Sequence, residues 1–204
     1  MISMPRKVVL AAAILAVVAA GAVGLLASEK TPPADAPAAG RATTLAPSTA
    51  DVDALLRQLD LVKPPRARAA GDFALPALHG GTVSLAEYRG KIVLLNFWAT
   101  WCPPCLEEMP AMERLWRTHK DAGFVLVAVS VDRDPKKVAP FVAEHKLTFP
   151  VALDTSMSVA ERYGVRALPA SFILGKDGVL TALALGPRPW DSKASHRLVQ
   201  AMLR

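Results

Sequence analysis

Lys91-Ile-Val-Leu-Leu-Asn-Phe-Trp-Ala-Thr-Trp-Cys-Pro-Pro-Cys105 is the stretch on which the fold turns. From Lys91 to Phe97 it is an almost continuous apolar run, the pattern of a central strand buried on both faces. Pro103 and Pro104 fix the backbone and offer no N–H, which suits the first positions of a helix. The spacing predicts that helix over Pro104 to His119, with Leu106, Met109, Met112, Leu115 and Trp116 along one side and a kink at Pro110. Cys102 and Cys105 are the chain's only cysteines, and both stand where the strand hands over to the helix. Free N–H groups and the dipole at a helix start stabilise an anion, so Cys102 is expected to ionise below a free thiol. Cys102 is therefore the candidate nucleophile. Cys105, one turn further in and less exposed, is the candidate resolving thiol.

Other uses of two thiols were weighed. Half of a zinc site needs two more ligands, and His79, His119, His145 and His196 lie singly. A permanent structural bridge closing so small a loop would contribute little. Two soft thiolates suffice for Cu(I), so a metallochaperone-type copper-binding protein is the alternative function.

Outward from this stretch the chain alternates strand and helix signals. Phe73–Leu75 and Thr82–Ser84 flank a Gly80-Gly81 turn. Phe124 to Val131 is a second buried strand, and about Lys137 to His145 is a helix with Pro140 in its first turn. Ser158 to Tyr163 is a short helix ended by Gly164. Ser171–Leu174 and Val179–Leu185 flank Lys176-Asp-Gly178, a hairpin signal. Asp191 is the expected N-cap of a last helix through Leu203, with Ala194, Leu198 and Met202 inward. The fold class is α/β: a central mixed sheet with helices on both faces.

Upstream of residue 67 the character changes. Val8 to Ala27 is 20 residues without a charge, preceded by Arg6-Lys7. At about 1.5 Å per residue it just spans a hydrocarbon core of roughly 30 Å. Residues 1–28 therefore read as an N-terminal signal-anchor, or as a signal peptide cut after Ala20-Gly21-Ala22. Basic residues before the run place the N-terminus in the cytoplasm and all that follows outside it. Residues 29–66 are rich in Ala and Pro and read as a tether, with a possible short helix at 51–61 carrying Val52, Leu55, Leu56 and Leu59. Residues 67–204 form the main domain. A hydrophobic content of 52% excludes a wholly disordered chain. The net charge of +6 is modest and unclustered, so no nucleic-acid partner is expected.

Gly90 through Cys105, followed by Glu107-Glu-Met-Pro110, resembles the TlpA/ResA-like membrane-tethered thiol–disulfide oxidoreductases of the thioredoxin superfamily. Tyr163-Gly-Val-Arg-Ala-Leu-Pro-Ala-Ser-Phe-Ile-Leu174, with Asp177-Gly178, matches the same family's cis-proline loop and hairpin. The resemblance covers roughly residues 67–204 and implies a thioredoxin-like fold. It implies a cis Leu168–Pro169 bond beside the cysteines, with Trp101, Leu168 and Pro169 shaping a substrate-docking surface. Asn96 stands where thioredoxin has a buried Asp, and an amide cannot do acid–base work. Glu108 matches a carboxylate that the family places near the site, which makes it the candidate for moving the proton of Cys105.

Three departures narrow the substrate. The cytochrome-maturation branch usually carries Glu after the cis-proline; Ala170 stands here, which weakens that role without removing cytochrome c or copper-oxidase maturation as contexts. Peroxiredoxins place Pro and Thr seven and three residues before the nucleophile. Leu95 and Ala99 stand there, so peroxidase chemistry is not expected. Copper-delivery relatives use a longer cysteine spacing plus a histidine. The expectation is an exported oxidoreductase that reduces or exchanges disulfides in other exported proteins. It would sit as a single-pass protein of the bacterial inner membrane, or soluble in the periplasm if cleaved, and be recharged by a membrane dithiol donor. No cofactor beyond the Cys102/Cys105 pair and no metal are expected.

Overall fold

The computed structural model describes residues 49–204. The apolar run Val8–Ala27, with its reading as anchor or signal, lies outside them. In chain order the elements are α1 (Thr49–Gln58), β1 (Ala74–Pro76), β2 (Thr82–Ser84), β3 (Ile92–Trp98), α2 (Pro103–His119) and β4 (Phe124–Ser130). There follow α3 (Val138–Glu144), β5 (Val151–Leu153), α4 (Ser158–Arg162), β6 (Ala170–Leu174), β7 (Leu180–Leu185) and α5 (Lys193–Leu203). The main sheet has the order β5-β4-β3-β6-β7, parallel from β3 to β5 and antiparallel across β3–β6–β7. Every residue of β3 and β4 is buried, as their nearly continuous apolar runs require.

Side chains alternate across a strand, so Asn96 and Trp98 face one side of the sheet and Phe97 the other. Asn96 meets Glu108 of α2 and Trp98 packs at a tilt against Phe141 of α3. Both helices belong to successive parallel crossovers running the same way across the sheet, which right-handed connection puts on one face. On the opposite face Phe97 packs with Tyr163, just past α4, and with Phe172. α5 lies beside α2, and α1 packs on α5 with Leu55 and Leu56 buried. The short helix expected at 51–61 within the tether is thus present as α1 and lies against the domain, and Val62 adds a bridge to Leu183 at the outer edge of β7.

Two local expectations are corrected. Asp191 is not the cap of α5: Ser192 is, its hydroxyl accepting from the Ser195 N–H at 3.2 Å. Asp191 instead accepts from Arg114 of α2 and pairs with His196, which in turn meets His119. Hydrogen bonds from Arg114 and His196 hold the Asp191 carboxyl below the usual range, and the cluster fastens α2 to α5. The second correction is β5, a strand of only three residues after Pro150 whose pattern carried no strand signal. α2 itself runs unbroken through Pro110.

Candidate active site

β3 ends at Trp98, and the next four residues carry the chain over to α2. That turn is held from β4. Asp132, buried, accepts from the Thr100 N–H at 3.0 Å and the Thr100 hydroxyl at 2.6 Å, and Ser130 donates to it at 2.8 Å. Cys102 follows as the N-cap residue of α2, in extended conformation, with Pro103 and Pro104 at the first helical positions. Its carbonyl accepts from the N–H groups of Cys105 and Leu106. Cys102 and Cys105 are joined in a disulfide, Cα–Cα 5.3 Å, with Cys105 fully buried.

The Leu168–Pro169 peptide bond is cis. The Pro169 carbonyl accepts from Gly186 N–H just past β7. Leu168 lies with Trp101, Cys102, Pro104, Met157 and Val165 around a groove of about 450 Å³, apolar apart from the exposed Arg166. Trp101 stands 66% exposed at its rim, so Trp101 and Leu168 line one groove with Cys102, while Pro169 is buried behind it.

Glu108 lies one turn beyond Cys105 on α2 and is only 4% exposed. One carboxylate oxygen accepts from Asn96 Nδ2 at 2.9 Å. The other accepts from Trp190 Nε1 at 2.9 Å and from the Arg188 backbone N–H at 3.1 Å. Burial pushes its pKa up to about 7, while these donors and the Arg188 charge pull the other way. A carboxyl poised there exchanges its proton near neutrality, which is what general acid–base work needs. Glu107, its neighbour, is exposed.

Asn96 has no acid–base chemistry, yet it does not leave the site empty. Its amide nitrogen donates to Glu108 and to Ser171 Oγ, both at 2.9 Å, while its Oδ1 is buried without a partner among the described residues. Arg188, Trp190 and Ser171 were not foreseen. The first two sit in a Pro-Arg-Pro-Trp stretch between the last strand and α5. A tryptophan with an N–H to satisfy, next to so many prolines, was the available signal. Among the described residues no three His, Cys, Asp or Glu side chains gather as a metal site.

Similarity to known proteins agrees with this geometry. The AhpC/TSA family profile matches residues 67–183. The thiol-disulfide oxidoreductase ResA of Bacillus thuringiensis subsp. konkukian is 40% identical over 111 residues, which are 54% of this chain and 64% of that protein. ResA of Geobacillus thermodenitrificans is 40% identical over 127 residues, 62% of this chain and 73% of that one. A crystal structure of a candidate thiol:disulfide interchange protein DsbE from Chlorobium tepidum superposes with a TM-score of 0.64 at 35% identity. It covers 71% of this chain and 99% of its own. The chain belongs to the AhpC/TSA family of thioredoxin-like proteins, alongside relatives named as thiol-disulfide oxidoreductases.

Proposed function

We propose that this protein is a thiol–disulfide oxidoreductase that reduces or exchanges disulfides in other exported proteins. The Cys102 thiolate attacks a substrate disulfide, forming a Cys102–substrate bond and releasing the other substrate sulfur, which takes up a proton. Cys105 then gives its proton to Glu108 and attacks Cys102 Sγ. The Cys102–Cys105 disulfide forms, and the second substrate sulfur leaves as a thiolate. Two electrons have passed from the cysteine pair to the substrate. Trp101, Leu168 and Pro169 would seat an extended substrate segment, whose backbone can pair beside the cis-proline.

The observation that carries this reading is the placing of three groups. A Cys102–Cys105 disulfide opens α2, and a buried carboxyl that titrates near 7 stands one turn on. Leu95 and Ala99, where peroxiredoxins carry Pro and Thr, speak against peroxide as substrate. The run Val8–Ala27 would hold the domain on the outer side of the bacterial inner membrane, with a membrane dithiol as electron donor. Maturation of cytochrome c or of copper oxidases is the role that suits such a place.

Cys105→Ser blocks resolution and leaves Cys102 free to react. Expressed in the native host, that variant should accumulate as mixed disulfides with exported proteins that dithiothreitol releases. A variant that traps none, while reduced wild type retains stoichiometric copper without turning over disulfides, would overturn the reading in favour of Cu(I) binding.

A further inference from the structure

Arg188 occupies an unusual position. Its backbone N–H is one of the donors on Glu108, and its side chain, 14% exposed, is the most heavily bonded guanidinium among the described residues. Nε and Nη2 donate to the Asp60 carbonyl at 3.2 and 2.8 Å, and Nη2 also to the Asp60 carboxylate at 2.9 Å. Nη1 donates to the carbonyls of Leu185, Gly186 and Pro187 at 3.2, 3.3 and 2.9 Å. Asp60 is the residue at which the chain turns out of α1. It sits at φ 53°, a left-handed conformation, and the Leu61 N–H closes back on the Leu56 carbonyl at 2.8 Å. The left-handed turn presents the Asp60 carbonyl to the guanidinium.

The energy lies in the carbonyl bonds. The Asp60 carboxylate is 92% exposed, so the ion pair itself is screened and adds little. A guanidinium presents a rigid fork of donors, and here they span two segments at once. On one side is the end of α1; on the other are three successive carbonyls of the loop that leads to Trp190. Both donors to one oxygen of Glu108, the Arg188 N–H and the Trp190 indole, are carried by that loop.

We infer that Arg188 is a positioning residue that latches the seated α1 to the proton-handling carboxyl Glu108, so that α1 is part of the active-site machinery and not a mere appendage. The inference rests on Glu108 acting as proposed above. The groups acting on Glu108 are Asn96 from β3 and Trp190 and Arg188 from the loop before α5; Cys105 stands one turn back on the same helix. Arg188 is the charged one, and both its charge and its N–H lower the Glu108 pKa. Releasing it raises that pKa. Loosening the loop weakens the Arg188 N–H and Trp190 donors, which outweigh the guanidinium charge; a rise of roughly one unit takes the ionised fraction at pH 7 from about half to about a tenth.

The test uses the full-length protein with ¹³C-labelled glutamate, the Glu108 signal being assigned by its loss in Glu108→Gln. Arg188→Met should raise the Glu108 midpoint by roughly one unit. Mixed-disulfide resolution should then slow about fivefold at pH 7 and recover by pH 9, a rescue that a merely structural role would not give. Arg188→Lys keeps the charge but cannot span both segments, so most of the shift should persist. Leu56→Ala, which loosens α1, should move the midpoint in the same direction and add nothing in the Arg188→Met background. If Leu56→Ala fails to fold, Leu56→Val should give a smaller shift of the same sign. An unmoved midpoint in Arg188→Met, or shifts from the α1 and Arg188 variants that simply add, would overturn the latch. A midpoint that moves while resolution keeps its wild-type rate at every pH would leave the latch standing and refute the role proposed for Glu108.

Discussion

Glu108→Gln tests the electrostatics of the site without reference to any substrate. The folded protein holds the Glu108 carboxyl at about 7, against 4.5 for the free group. Between those values the folded state keeps a proton that the unfolded chain has released. Stability therefore falls as pH rises through this window, and the loss is complete above it. At 1.36 kcal/mol per unit, the full loss is about 3 kcal/mol. Gln is a neutral isostere, and the network can accept it. If the Asn96 amide turns over, its Oδ1, now buried without a partner, receives the new N–H₂. The oxygen of the introduced amide keeps the Trp190 and Arg188 donors. Urea denaturation of the oxidised protein at pH 4 to 8 should show wild type and variant diverging, the variant ahead by about 3 kcal/mol at pH 8. In melting temperature that is roughly 10 °C for a domain of this size. Because all other carboxyls are common to both proteins, they cancel. Parallel pH profiles would show that Glu108 is not the buried, proton-holding group its surroundings imply.

Four further outcomes are expected. In the reduced protein Cys102 should be alkylated faster than Cys105 and titrate below about 8.5, because it sits at the start of α2 and keeps 5% exposure where Cys105 keeps none; equal rates across pH 5–9 would count against this. Asp132→Ala strips the Thr100 N–H and hydroxyl of their acceptor, and should cost about 1–3 kcal/mol by thermal melting while slowing the attack of Cys102. Leu126→Ala, at a fully buried site in β4, should cost about 2–5 kcal/mol in urea titration with no change in thiol pKa. The full-length protein should remain with membranes through a carbonate wash, whereas release of a form beginning near Val23 would favour a cleaved signal peptide.

How the residues divide between what sequence disclosed and what it concealed has a physical logic. β3 and β4 are buried on both faces, so their apolar runs left no other choice, and the proline pair marked the start of α2 within one residue. Glu108 was singled out through the family resemblance, and its place one helical turn from Cys105 was legible in sequence. The other bonds around Asn96 and Glu108 are not visible that way. Ser171 is 75 residues from Asn96, and Trp190 is 82 from Glu108. Only the antiparallel pairing of β3 with β6, and the return of the chain before α5, bring them together. Asn96 was read as a lost acid because its type was compared without its surroundings; its amide is in fact a donor to Glu108. β5 escaped because a three-residue strand has no periodicity to detect. Asp191 and Ser192 are both good caps, and the choice went to Ser192 because Arg114 and His196 draw Asp191 away.

The proton transfer from Cys105 to Glu108 is most directly tested on protein carrying glutathione on Cys102, by following glutathione release in a single turnover. Wild type should release it at a rate that rises through an inflection near pH 7, as Glu108 ionises. Glu108→Gln should be slower above that pH and lack the inflection, and Glu107→Gln should match wild type. Release from Glu108→Gln at the wild-type rate, with the same inflection, would contradict the assignment of that proton to Glu108.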